Sequence, residues 1–420
     1  AAIQYGLSNS AEPQGTHRLL RITDIQDGKV DWNAVPFTTV NDPEAYLLKT
    51  GDIVFARTGA TVGKSFLITE TPYPSVYASY LIRIRLLGSL SPEYIYQFFD
   101  SACYWSQITD KSVGVGQPNC NGTSLKELFI PLPPISEQLR IVPTAQALLA
   151  YVAKIDAEKK SLLSIIMATK SKILDLAIRG QLIPQDPNDE PASVLLERIR
   201  AEKEELIKQG KIKRDKKESV IFRGEDNSYY EKMGGKVVNI DDEIPFELPE
   251  SWAWCRGYSC FEGLGSTKPQ GDFFDYIDID AIDNRLHCIK EAKHLPVSDA
   301  PSRASRAVKD GSVLFSLVRP YLENIALVEE KHSNCIASTG FYVCNSNGVL
   351  LPEFMFFLMI SGYVVNGLNQ YMKGDNSPSI SKDNIGNWLY PAPPVGEQQT
   401  ICAKLKTVFT LVENVEKSLN

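Results

Sequence analysis

Gly59-Ala-Thr-Val-Gly63-Lys64-Ser65 sets two glycines, a lysine and a hydroxyl in the order a phosphate-binding loop uses. The glycines stand one residue too close, and Phe66-Leu67-Ile68 behind them reads as a strand. A phosphate loop needs a helix there, because the helix's first amides must face the phosphates. Phe261-Glu-Gly-Leu-Gly265 has the glycine spacing of a turn that cradles S-adenosylmethionine, but Lys268-Pro269 argues against a helix directly behind it. Methylating a base also needs an Asn/Asp/Ser-Pro-Pro-aromatic loop, and Pro133-Pro134 and Pro393-Pro394 lack both flanks. The eight Cys are scattered, with Cys255 and Cys260 the nearest pair, and the four His supply no HxxxH. Reduced structural thiols are expected, with no metal site and no disulfide framework. No catalytic residue and no cofactor are assigned.

The elements that carry these residues occur twice. A shift of 260 positions lays Gly51-Asp-Ile-Val-Phe55 on Gly311-Ser-Val-Leu-Phe315, Pro92-Glu93-Tyr94 on Pro352-Glu353-Phe354, and Pro118 on Pro378. Pro131-Leu-Pro-Pro-Ile-Ser-Glu-Gln138 likewise meets Pro391-Ala-Pro-Pro-Val-Gly-Glu-Gln398. So long a register implies one unit used twice and a molecule with approximate internal two-fold symmetry. The first copy lacks a counterpart of Pro249-Glu-Ser-Trp-Ala-Trp254, and the second stops early in its final helix. The chain starts without Met, so Ala1 is expected not to be the natural start.

Within each copy, short apolar runs between Gly, Pro and Asn read as strands: Asp52–Phe55, Ser65–Ile68 and Tyr80–Leu86, then Val313–Leu317, Ile325–Glu329 and Phe341–Cys344. A helical patch follows, Pro92–Trp105 and Pro352–Leu368. Each copy then ends in a long helix. Leu148, Val152, Ile155, Leu162, Ile166 and Ile173 step by fours and threes in the first, and Leu405, Val408, Val412 and Val415 keep that phase in the second. A sustained 4–3 repeat is a coiled-coil seam, and Ile141 to Leu176 would span about 50 Å. Gly180 should stop the first helix and Asp189 should cap a short one over Ala192–Gln209. The run Lys211-Ile-Lys-Arg-Asp-Lys-Lys217 reads as solvated linker. The expected fold is mixed α/β. Two β-rich domains, 1–135 and 241–395, are joined by long antiparallel coiled-coil helices, 136–180 and a truncated 396–420. A short helix and charged linker fill 181–240.

No stretch approaches a membrane span and the N-terminus lacks a signal layout, so a cytoplasmic protein is expected. The net charge of −7 argues against gripping nucleic acid by bulk electrostatics. Residues 1–135 hold 10 Lys/Arg against 12 Asp/Glu, and residues 241–395 hold 12 against 20. Any DNA contact must therefore come from basic side chains focused on one face, or from partners.

Two variable β-rich domains, each with a Gly-Asp-Ile-type strand and a Leu-Pro-Pro-Ile-x-Glu-Gln-type junction to a long helix, form a recognisable pattern. It resembles the specificity (S) subunit of type I restriction-modification systems over nearly the whole chain. Its most specific pieces are Pro131–Ile141, Pro391–Ile401 and Gly180-Gln-Leu-Ile-Pro-Gln185 through Leu195, with Ile244–Trp254 like the family's lead-in. The resemblance implies two target recognition domains reading the halves of a split DNA site. Helices between them would set the gap and dock two methyltransferase subunits, and restriction subunits would complete the cleaving complex. The chain itself would not be an enzyme. Half-sites about one helical turn apart, roughly 34 Å, suit such a reader. Phosphates would be held by Lys/Arg or amide-rich loops and bases read by Arg, Asn, Gln or Lys. In copy one these are Arg57, Thr58, Gly59 and Lys64, then Gln117 and Asn119. In copy two they are Arg319, Tyr321 and Asn324, then Lys373, Asp375, Asn376 and Ser377. Two other readings stay open: a self-contained DNA methyltransferase or endonuclease, and a coiled-coil scaffold without a DNA role.

Overall fold

The computed structural model of the chain describes residues 1–26, 28–111, 119–212 and 217–419. It divides into two units, Ala1–Glu158 and Lys159–Asn420.

In the first unit, strand Ile53–Ala56 is buried along its whole length, as a continuous apolar run requires when a sheet is covered on both faces. It pairs antiparallel with Ser65–Leu67 on one side and Leu81–Arg85 on the other, and Ala2–Tyr5 adds the far edge. A second sheet holds the parallel pair His17–Leu20 and Ser75–Tyr77. Three helices follow, α1 (Pro92–Phe98), α2 (Ala102–Lys111) and α3 (Gly122–Lys126), and then α4 (Ile135–Ile178), which starts in this unit and continues past Glu158. Ser91 caps α1 by accepting from the Tyr94 amide at 3.3 Å, and Pro92 fills the first turn, where no amide donor is needed. Phe55, Ile82, Ile95, Phe98 and Tyr104 form the core between sheet and helices. Burying each contributes on the order of 2–3 kcal/mol.

The second unit contains α5 (Ala192–Lys208), α6 (Gly257–Cys260), α7 (Pro352–Met359), α8 (Gly362–Asn369), α9 (Lys382–Asn387) and α10 (Val395–Ser418). Its sheet repeats the first unit's: Val313–Ser316 lies between Ile325–Leu327 and Phe341–Cys344. Phe261 bridges Ser346, the same register as Ala2 with Arg85 once both are shifted by 260. The landmarks of the repeat have physical work to do. Gly51 has φ +90° and Gly311 φ +78°, a conformation L side chains avoid, and a Cβ at either would press on Pro92 or Pro352. The helical patches each resolve into two helices, α1–α2 and α7–α8.

Gly180 has φ +69° and ends α4 as expected, with the Gln181 amide returning to the Leu176 carbonyl at 2.8 Å. The last turns of α4 run antiparallel to α10. Lys170 pairs with Glu416 near the end of α10, while Leu174, Ala177 and Ile178 share a core with Ile401, Cys402 and Leu405 near its start. Farther along the seam, Val408 and Val412 are half-buried and Val415 is exposed. Of the α4 seam residues, Ile166 and Ile173 are covered, whereas Leu148, Val152, Ile155 and Leu162 are exposed. Periodicity marks an apolar face and does not say what covers it.

Two local expectations are corrected. Asp189 does not cap α5; Pro191 holds the cap position without a side-chain bond, and the Ala192 amide donates to the Ser251 carbonyl at 2.9 Å. Residues 219–239, read as linker, form a three-stranded antiparallel sheet of Ser219–Arg223, Tyr229–Met233 and Lys236–Asn239. Phe222 stacks on Tyr230 across the first pair, and Gly234-Gly235 turns the second. Part of the basic run, residues 213–216, lies outside the described residues.

Candidate nucleic-acid interface

In both units the central strand runs into a loop that meets a second loop just ahead of a short capped helix. In the first, the Cys120 amide donates to the Arg57 carbonyl at 2.9 Å, and Thr58 pairs with Asn119. In the second, the Ile380 amide donates to the Leu317 carbonyl at 2.9 Å, and Val318 pairs with Ser379. Each of these positions maps onto its counterpart by 260. The helix behind is also capped alike: Asn121 accepts from the Ser124 amide at 2.9 Å, and Ser381 from the Asn384 amide at 3.3 Å. The stitching fixes where each loop stands, and the loop residues themselves are free to differ.

The first loop pair presents Arg57, Lys64 and Asn119. Lys64 and Asn119 are exposed, while Arg57 is half-buried with its guanidinium over the Tyr5 ring at 5.0 Å. Tyr5 is held in turn by accepting from the Gly122 amide at 2.9 Å. A cation–π contact orients a guanidinium without neutralising it. Thr58 is half-buried, and Gly59 has φ +75° with open space where a Cβ would stand. Gln117 lies outside the described residues. Tyr80, whose carbonyl accepts from the Arg57 amide, is 62% exposed beside this group.

In the second unit Arg319 has φ +48°. Its amide donates to the Pro378 carbonyl at 2.7 Å, and its Nη2 donates to the Asn376 carbonyl at 2.9 Å. Tyr321, Lys373, Asp375, Asn376 and Ser377 are all exposed. Asn324 differs from the group: it is 9% exposed, and its carbonyl accepts from the Ser316 amide inside the hairpin, so its side chain is not displayed with the others. Glu323 and His287 face each other at 3.9 Å behind this loop. Burial raises the Glu323 carboxyl and lowers the His287 imidazole, favouring the neutral form of each. Among the described residues no carboxylate forms an ion pair with Arg57, Lys64, Arg319 or Lys373. Tyr5, Tyr80 and Leu322 were not foreseen as neighbours of these sites. Tyr5 meets Arg57 only through sheet pairing, for which the sequence carries no local signal. The exposed turn residue Leu322 could have been found as an apolar side chain between two polar positions.

Among the described residues, no three His, Cys, Asp or Glu are placed to hold a metal ion, and no helix is long and apolar enough to cross a membrane. The near-phosphate loop runs into strand Ser65–Leu67, the arrangement that a phosphate cradle cannot use.

The chain is thus a mixed α/β protein in which one sheet-and-helix unit, with one pair of stitched loops, occurs twice. Residues 15–165 match the family model for the type I restriction modification DNA specificity domain. The type I restriction enzyme EcoAI specificity subunit of Escherichia coli is 29% identical over 247 residues, covering 57% of this chain and 39% of its own length. The EcoDI specificity subunit of Escherichia coli is 21% identical over 418 residues, 96% of this chain and 83% of its own. Among solved structures, the HsdS subunit from Thermoanaerobacter tengcongensis is 35% identical with a TM-score of 0.39, covering 41% of this chain and 46% of that one. The chain is similar to the type I restriction-modification specificity subunits, by family model over residues 15–165 and at low identity over most of its length. It spans 39 and 42% of the length of two of the curated relatives that it matches, the EcoAI and EcoEI subunits.

Proposed function

We propose that the chain is the non-catalytic DNA-reading subunit of a cytoplasmic type I restriction-modification complex. Residues 1–135 and 241–395 each read one half of a bipartite double-stranded site. The observation that carries this reading is the duplicated loop pair. Two loops, stitched in the same register in each unit, display basic and amide side chains that no carboxylate neutralises among the described residues. Arg57, Lys64, Arg319 and Lys373 hold phosphates, and Asn119, Asn376, Ser377 and Tyr321 face base edges. The exposed apolar stripe of α4, Leu148, Val152, Ile155 and Leu162, supports a docking role for that helix toward methyltransferase subunits, with restriction subunits joining the assembly.

Charge reversal tests the phosphate contacts. Arg57→Glu or Lys64→Glu should weaken DNA binding by the assembled complex and lower the slope of log affinity against log salt by about 0.9 per lost contact. Unchanged affinity at low salt removes that loop from the interface. Methyl transfer from labelled S-adenosylmethionine to DNA by the purified chain alone overturns the non-catalytic reading. Absence of sequence-dependent binding with methyltransferase subunits present favours a scaffold instead.

A further inference from the structure

Arg319 and Glu323 both have left-handed backbones, φ +48° and +55°, and they bracket a single tight turn, Pro320–Leu322. Side chains other than Gly adopt this conformation when the surroundings force it, and here they do. Pro320 is buried and anchors the base of the turn. Arg319 is tied to the second loop through the Pro378 and Asn376 carbonyls, and the Asn284 side-chain amide donates to the Leu322 carbonyl at 2.8 Å. The rigid tip carries Tyr321 and Leu322 outward, 46 and 40% exposed. A phenol ring and an apolar side chain are thus held in solvent within the stitched loop pair of Arg319, Lys373 and Asn376. Among the described residues the first unit has no such tip. Its equivalent turn, Gly59–Thr61, begins at a glycine, and Val62, at the place of Leu322, packs against that unit's own core.

We propose that Leu322, steadied by Tyr321, reads the 5-methyl group of a thymine in the half-site of the second unit, a contact the first unit does not make. This rests on the DNA-reading role proposed above. The thymine methyl is the one apolar group that base edges offer in the major groove, and small exposed apolar side chains recognise it. Asn376 beside the tip supplies the amide that pairs with adenine N6 and N7, so one A·T pair could satisfy both. A preformed tip reads such a group without the entropic cost of ordering a loop.

The test uses the full chain with its methyltransferase subunits. A duplex selected from a random pool is scanned by replacing each thymine with deoxyuridine, which removes the methyl group alone. At one thymine of the second half-site the replacement should weaken binding about four-fold, the factor one buried carbon contributes. Leu322→Ala should abolish that difference and Leu322→Met should keep it, while the first half-site's base preference stays intact as the sign of a folded reader. Neutral deoxyuridine at every thymine overturns the proposal, as does a four-fold loss that persists in Leu322→Ala, or a half-site without thymine on either strand. Either way the reading role itself stands if Lys373→Glu still weakens binding. If Lys373→Glu and Arg57→Glu both leave binding unchanged, the reading role fails first.

Discussion

The glutamine that ends the repeat signature is a structural lock, and removing it should cost the two units different amounts. Gln398 is fully buried. Its Oε1 accepts from the Leu351 amide at 2.7 Å, and its Nε2 donates to the carbonyls of Val349 and Pro393, both at 2.9 Å. One side chain thereby ties the start of α10 to the loop ahead of α7. Gln138 does the same with one bond fewer: it accepts from the Ser91 amide at 3.1 Å and donates to the Pro133 carbonyl at 2.8 Å. Gln398→Ala strands three backbone groups and Gln138→Ala strands two. A buried polar group left without a partner costs about 1–3 kcal/mol, and relaxation or water entry recovers part of that. We expect a loss of about 3–5 kcal/mol for Gln398→Ala and about 1 kcal/mol less for Gln138→Ala. Gln398→Glu keeps the acceptor but turns a carboxyl oxygen toward two carbonyls, so at neutral pH it should be no better than Ala. Two units make a single unfolding midpoint ill-defined. The assay is therefore hydrogen–deuterium exchange of peptides covering residues 53–56 and 313–316, each reporting the opening of its own unit. A change below about 0.5 kcal/mol for Gln398→Ala, or a larger effect at Gln138, would refute the lock.

Seven residues inserted between Ile155 and Leu162 preserve the apolar phase and lengthen α4 by about 10 Å. If α4 is the spacer, the gap between half-sites should grow by up to about three base pairs with both half-site sequences unchanged. A gap that stays put in methylation mapping rejects the ruler. Glu397 is buried, accepting from Trp252 Nε1 at 2.8 Å and Gln185 Nε2 at 2.6 Å. Burial outweighs these donors and raises its carboxyl above the ordinary 4.5. The folded state therefore holds more protons between 4.5 and the raised value, and stability falls as pH rises through that window. Glu397→Gln should flatten this part of the second unit's pH–stability curve; an unchanged slope assigns it to other groups.

What could be read from the sequence was whatever has a local cause. The 260-residue register was visible because glycines with positive φ, helix-capping prolines and the buried glutamines cannot easily be replaced. The strands showed as short apolar runs and Gly180 as a stop. What could not be read depends on distant partners. Glu137 and Glu397 stand at equivalent positions, yet the first is exposed and the second buried, since Trp252 and Gln185 reach only the second. Asn324 matched Lys64 by position and promised a displayed polar group, but the hairpin covers it. The sheet over 219–239 was hidden by the charges around it, although Gly234-Gly235 between alternating residues was a hairpin signal.

The acidic balance of the chain is compatible with the proposed role when cations held by the fold are separated from those in the loops. Arg85 is fixed to Asp52 at 2.6 Å, and Arg256 to Glu231 and Glu243 at 2.9 and 2.8 Å. Lys309 is spent on Glu262, Lys293 on Asp280 and Lys406 on Glu353. Arg18 and Arg83 are turned inward, donating to the carbonyls of Val35 and Leu47. These cations hold the fold and add little to an outward field. Arg57, Lys64, Arg319 and Lys373 are among the cations that form no ion pair among the described residues, and these four lie in the two stitched loop pairs. A polyanion responds to charge within about a Debye length, roughly 8 Å at physiological salt, so the local sign at the loops decides contact and the sum over the chain does not. Few phosphates would be held by each unit, which makes modest affinity and a shallow salt slope the expected signature of the chain without its partners.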